Sequence, residues 1–219
     1  MLIGDYYFHL RFDGGESALE DDDPSHYVHS THGTVIGLDK NDNETLVGKF
    51  HIYYLDICAA VNASASVFDM FDCHAVTLDY YGAIFTGDSL DISDKLEKLF
   101  KFESAWGNVL ILERLEILPA FRGRNLGLIV MRRLIERFGS GAAYVAIKPF
   151  PLQKEYIGSR EEDSWRTELQ LSNLDKNYRR AIAKLHRHYR QLGFKTMKGT
   201  PFMFRMGNDA LPSTDDLVK

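Results

Sequence analysis

The chain has 219 residues, of which 45% are hydrophobic and 26% charged, with a formal net charge of −5. These are globular proportions at a length that buries a full core, so disorder, collagen and fibre are excluded for the chain as a whole. The acidic balance gives no general attraction to a phosphate backbone, which sets nucleic acid aside as a partner. Cys58 and Cys73 are too few for a disulfide framework and lack zinc spacing. No uninterrupted apolar run reaches bilayer length, so the expectation is a cytoplasmic protein with no membrane span.

In chain order, "YYFHLRF" (6–12) alternates as a strand and is followed by a polar connection, "DGGESALEDDDPSHYVHSTHG". Two strands then follow, joined at Lys40-Asn41-Asp42-Asn43-Glu44, where Asn and Asp suit a tight reversal. From Ser64 to Phe102 the apolar residues take helical spacing, with Ser93 as an N-cap.

Asn108 to Leu118 starts apolar on both parities, as a central strand covered on two faces does. Leu128, Met131, Ile135 and Phe138 recur at helical spacing until Gly139, and "AAYVAI" (142–147) is a short buried strand. Strand, loop, helix and strand within that span predict a right-handed crossover on a parallel pair. Residues 150–175 form a longer polar link than such a unit needs. Tyr178, Ala181, Leu185, His188 and Leu192 mark another amphipathic helix closed by Gly193. A last strand, "FMFRM" (202–206), precedes a tail, 207–219, expected to fray.

Between the central strand and its helix lies "PAFRGRNLG", Pro119 to Gly127. The first amides of a helix have no intrahelical partner and carry partial positive charge, so they form an anion site. Arg122 and Arg124 can add charge-assisted hydrogen bonds to phosphate oxygens, and Gly123 and Gly127 let a ligand approach the backbone. A nucleotide-triphosphate loop needs Lys and Ser or Thr after its second glycine, but Leu128 and Ile129 stand there. A dinucleotide fingerprint fails on its glycine count and on the distant acidic residue. Asn125 occupies a place where glycine is wanted. Asparagine tolerates the left-handed region best among the other residues, and it also suits a helix N-cap.

Here the sequence resembles the GNAT superfamily of acyl-CoA-dependent N-acyltransferases. The pattern V-x-P-x-x-[QR]-x-x-G-x-[GA] is met by Ile117 through Gly127, with isoleucine in the place of its valine and Asn125 as the departure. A second signature, Y-x-x-[LF]-G-F, appears as Tyr189-Arg190-Gln191-Leu192-Gly193-Phe194. The resemblance covers 108–206 well and 1–58 loosely, leaving 59–103 and 150–175 as insertions in a single domain, 1–206. It implies an α/β (α+β) fold with a mixed central sheet, splayed parallel strands flanked by helices, and a helical insertion before the fourth strand. The amides of Arg122, Gly123, Arg124, Asn125, Leu126 and Gly127 would hold the CoA pyrophosphate, and backbone groups of Ile117 and Leu118 the pantetheine arm. Acetyl-CoA and an amine acceptor, small molecule or protein, are the implied partners, with a homodimer left open. An acyl-CoA-binding module without turnover is the alternative.

Acyl transfer to an amine needs a neutral amine, a stabilised oxyanion and a proton for the departing thiolate. Tyr189 suits the last task by position and type, the bland alternative being an aromatic on the buried face of its helix. Glu113, by the two-residue period, lies on the side of Leu115 and Ile117 and is the candidate base, while Glu116 points the other way. A strand amide, such as that of Ile117, would meet the oxyanion. His26, His29 and His32 are spaced by three, but poor helix formers separate them, so they are expected in a solvated loop and no metal site is predicted. His188 is expected to pack beside Tyr189, and Phe50, Tyr53 and Tyr54 in the core. Glu161, Glu162 and Asp163 are read as a solvated loop.

Overall fold

In the computed structural model, residues 5–15, 23–87, 90–101, 106–155 and 164–218 are described; the expectation for Glu161, Glu162 and Asp163 lies outside them. The apolar start of Asn108–Ile117, here β6, forms the middle of a seven-stranded sheet because Val109 and Ile111 feed one core and Leu110 and Leu112 the other. The sheet orders β1 (Tyr7–Asp13), β2 (Val28–Leu38), β3 (Glu44–Leu55), β6, β7 (Ala142–Ile147), β9 (Met203–Met206) and β8 (Lys195–Thr196). Among the described residues only β6 and β7 run parallel, and the other neighbours are antiparallel, which gives a mixed α+β architecture. Asp39 builds the β2–β3 turn by accepting from the amides of Asn41 at 2.7 Å and Asn43 at 2.9 Å, while Asp42 takes a φ of 61°.

One face of the sheet is covered by four short helices: α1 (Ile57–Asn62), α2 (Val67–Asp72), α3 (Ala75–Ile84) and α4 (Asp94–Leu99). Among the described residues three of the four carry a side-chain cap, and α3, entered at His74, has none. The side chains of Asp56, Ser66 and Ser93 accept from amides at the starts of α1, α2 and α4. Met70, Phe71, Tyr80, Ile84 and Leu96 pack there on Tyr53, Leu55, Val109 and Ile111. The helical segment begins before the expected Ser64, at Ile57 with Asp56 as its cap, and carries a two-stranded ribbon, β4 (Phe85–Thr86) with β5 (Asp91–Ile92).

The opposite face is covered by α5 (Leu126–Phe138), whose Leu128, Met131, Leu134 and Ile135 are buried, and by Leu192 and Phe194 just beyond α7 (Tyr178–Arg190). The expected fraying tail instead contains α8 (Thr214–Val218), and Leu217 is 3% exposed in this second core. Arg132 Nε on α5 secures it by donating to the Pro212 carbonyl at 2.6 Å. Within 150–175, α6 (Ser164–Glu168) supplies Trp165 to a small core with Leu169 and Leu171. His29 and His32 lie in β2, paired with Tyr54 and His51, and so are not loop residues.

Candidate functional site

The parallel pair opens where the loop begins. Asn108 to Ile111 of β6 pair with Ala142 to Ala146 of β7, and beyond them β6 continues to Ile117 along β3 alone. β7 stops at Ile147, followed by Lys148 and Pro149, which has no amide to donate. Leu118 donates its amide to the Val47 carbonyl of β3 at 2.8 Å. Strand alternation therefore turns the backbone groups of Ile117 and Leu115 toward the open edge.

Glu113 sits in a β-bulge: His51 pairs with Arg114 and Ile52 with Leu112, leaving Glu113 without a partner residue on β3. The extra residue reverses the alternation. Leu115 and Ile117 pack on the α5 face, whereas the Glu113 carboxylate faces His51, 3.8 Å from Oε2 to Nδ1, on the face of Tyr53. The expectation that Glu113 shares a side with Leu115 and Ile117 is thus corrected, and so is its separation from Glu116. Arg114 bridges the two, 3.8 Å from Glu113 and 2.9 Å from Glu116, and also pairs with Glu155. Glu116 accepts a further hydrogen bond from Trp165 Nε1 at 2.7 Å.

Glu113 Oε2 is buried and has no hydrogen-bond partner among the described residues. Burial raises the carboxyl above its ordinary pKa, against the lowering effect of Arg114, and nearby Glu155 and Glu116 raise it further. His51 is pushed down to about 4 by burial, then by His32, His74 and Arg114, so its ring is neutral at neutral pH. It stacks on His32 with centroids 3.7 Å apart, and its Nε2 lies 2.9 Å from Ser30 Oγ.

The loop after β6 starts with a 3₁₀ turn, Pro119–Phe121, in which Arg122 donates its amide to Pro119. The Arg122 side chain does not reach outward as expected. Its Nε donates to the Ile117 carbonyl at 2.7 Å and its Nη2 to the Leu169 carbonyl at 2.8 Å, so it ties the loop to the segment after α6. Arg124 is exposed and makes no ion pair or hydrogen bond among the described residues. Asn125 takes the expected left-handed conformation, φ 55° and ψ 15°, but it does not cap α5 with its side chain. Nδ2 instead donates to the Leu217 carbonyl at 2.8 Å, holding α8. Among the described residues no backbone acceptor engages the amides of Gly123, Arg124, Asn125, Leu126 or Gly127, whereas Leu128 already donates to Asn125. Leu118 is less available than expected, since its carbonyl accepts from Phe121 and its amide is used by β3.

A Cβ at Gly127 would meet nothing closer than Leu115 Cδ2 at 3.7 Å and His188 Nε2 at 3.8 Å. The protein's own packing therefore does not require glycine there. On α7, Tyr189 lies against the α5-side core, 5.6 Å from the His188 ring and 6.4 Å from Phe194. Its hydroxyl makes no hydrogen bond among the described residues, and burial pushes the phenol up to about 12. Tyr80, from α3 on the other face, links the two candidates. Its phenol accepts from the Lys148 amide at the end of β7 and is raised by burial, then by Glu113, and also by Tyr189. Glu113 and Tyr189 therefore come from opposite faces of the sheet, and both raise the Tyr80 phenol. Tyr80, His51, Ser30 and Leu115 were not singled out from the sequence. Only a bulge at Glu113 would have pointed to His51, and no local pattern announces one.

Among the described residues no group of three or more His, Cys, Asp or Glu side chains is arranged to hold a metal ion, and no helix is long and apolar enough to cross a membrane. Comparisons with protein-family models, curated proteins and solved structures find no match.

Proposed function

We propose that the protein is a cytoplasmic N-acetyltransferase of the GNAT type that moves acetyl from acetyl-CoA to a primary amine in a ternary complex. The observation that carries the reading is a run of loop amides with no backbone acceptor among the described residues, placed where the parallel pair ends, with a buried carboxylate on one face of the sheet and the Tyr189 phenol on the other.

The amides of Gly123 to Gly127, with the start of α5 behind them, suit the pyrophosphate, and exposed Arg124 adds positive charge. The backbone groups of Leu115 and the amide of Ile117, whose carbonyl already accepts from Arg122, suit an extended pantetheine amide chain, as a neighbouring strand would be held. A strand amide at the bulge or at Ile117 would stabilise the oxyanion. The amine enters from the α1–α4 face, where Glu113 takes its proton as the N–C bond forms. Tyr189 supplies a proton to the sulfur as the C–S bond breaks. A pKa near 12 keeps that phenol protonated throughout the physiological range, so its proton moves only as charge develops on sulfur.

Replacement of Tyr189 by Phe tests the assignment. CoA binding should be retained, while the rate of thiol release with an amine acceptor should fall by roughly 10²- to 10⁴-fold, the usual worth of a general acid. Full turnover in the variant would remove Tyr189 from the chemistry. A wild-type chain that binds CoA but turns over no amine would return the binding-module reading.

A further inference from the structure

We propose that His51 and Ser30 position the Glu113 carboxylate, Ser30 fixing the imidazole tautomer and His51 Nδ1–H closing on Glu113 Oε2. The inference rests on the reading of Glu113 as the base, but its test does not. Three observations meet here. The bulge aims Glu113 at the imidazole with one oxygen buried and unpartnered. The gap from Nδ1 to that oxygen is 3.8 Å, which a small side-chain rotation shortens to a hydrogen bond. At the other end of the ring, Nε2 already lies 2.9 Å from a hydroxyl that both donates and accepts. If Ser30 donates to Nε2, the neutral ring carries its proton on Nδ1, which is the tautomer that serves a carboxylate.

The ring is held for this task. His32 stacks on it from β2 at 3.7 Å, and Tyr53 lies 4.4 Å away on its own strand. His74, at the start of α3, faces the same ring, and Arg114 lies beside it. Glu113 is faced in turn by Arg114, Glu116, Glu155 and His32, while Tyr53 and Tyr80 sense its charge. Arg114 is already shared with Glu116 and Glu155. Those pairs use its Nη atoms, so two donors stand 3.8 Å from the orphan oxygen: Arg114 Nε from the same strand and His51 Nδ1 from across the bulge. Such a donor favours the ionised carboxylate, which is the form a base must have before it takes a proton.

The test is NMR on the full chain without ligand: ¹³C titration of the Glu113 carboxyl and ¹⁵N shifts of the His51 ring, in wild type, His51→Gln, His51→Phe and Ser30→Ala. The account expects wild-type His51 neutral with the proton on Nδ1. His51→Phe should raise the Glu113 midpoint by about one pH unit or more, and His51→Gln, which keeps a donor, should return most of that rise. Ser30→Ala should mix the two ring tautomers. A wild-type ring protonated on Nε2, or equal Glu113 midpoints in the Gln and Phe variants, would overturn the proposal. If the Phe variant does not fold, the wild-type and Ser30→Ala tautomers decide it. A CoA melting shift on the same samples judges the acyltransferase reading separately, since its absence would leave the Glu113 midpoints unaffected.

Discussion

At Glu113, one inserted residue changes what a side chain can do. The two-residue period places it with Leu115 and Ile117, and the bulge opposite His51 and Ile52 turns it over to the Tyr53 face. No composition signal marks a bulge, because the extra residue is paid for by sheet geometry and not by local preference. Arg122 was misread for a related reason: its acceptors, Ile117 O and Leu169 O, are set by tertiary approach across up to 47 residues of chain. The helix that carries Tyr189 was legible because its periodicity is local. The environment of Glu113 also sets a stability prediction. Its folded pKa is raised, so its contribution is fully present below the unfolded pKa and is lost as pH rises through the folded one. At pH 7 the fold therefore carries a buried carboxylate with an orphan oxygen. Glu113→Gln should raise the melting temperature at pH 7 by roughly 2–4 °C, about 1 kcal/mol for a chain of this size. The gain should vanish near pH 4 and below, while acyl transfer is lost. Melting curves at the two pH values check it; a lower melting temperature at pH 7 would show that Arg114 and His51 hold the carboxylate more strongly than burial penalises it.

At the scale of elements, the helices and strands with strong periodicity were readable: β6, α5, β7 and α7 fall within a residue or two of their expected bounds. The misses are short or late elements stabilised by distant contacts. The β4–β5 ribbon and β8 are two residues per strand, too short for periodicity to register. The last helix, α8, is held by Asn125 and Arg132 from the far side of the fold. Asn125 therefore does two things, turning the loop through a positive φ and fastening the C-terminal segment. Gly127 does neither. Its Cβ position is open, and glycine in a helix costs up to about 1 kcal/mol relative to alanine. Gly127→Ala should leave the melting temperature of the ligand-free chain unchanged or slightly raised, yet weaken CoA binding by about tenfold or more, since a tenfold loss needs only about 1.4 kcal/mol of lost approach. Calorimetric titration with CoA reads the second effect, and undiminished affinity would show that no ligand passes close to this glycine.

At the scale of the whole molecule, the sheet is antiparallel except at β6 and β7, and that one parallel contact ends after Ile111. Both faces are otherwise covered, by α1–α4 on one side and α5 with the segment after α7 on the other. The opening lies between the two covered faces, with Glu113 and Tyr80 on the α1–α4 side and Tyr189 on the α5 side. The sequence pattern exposed the parallel unit and its loop because both are local in the chain. It did not expose Tyr80 and His51, which arrive from α3 and β3 through packing alone. The most direct test is a melting series with CoA, acetyl-CoA and a CoA fragment lacking the pyrophosphate. A ligand that binds only the folded chain stabilises it by about 2.7 kcal/mol at one hundred times its dissociation constant, or roughly 5–10 °C here. The account predicts that rise with CoA and acetyl-CoA and a much smaller one with the fragment. No shift with either CoA at millimolar concentration would contradict it.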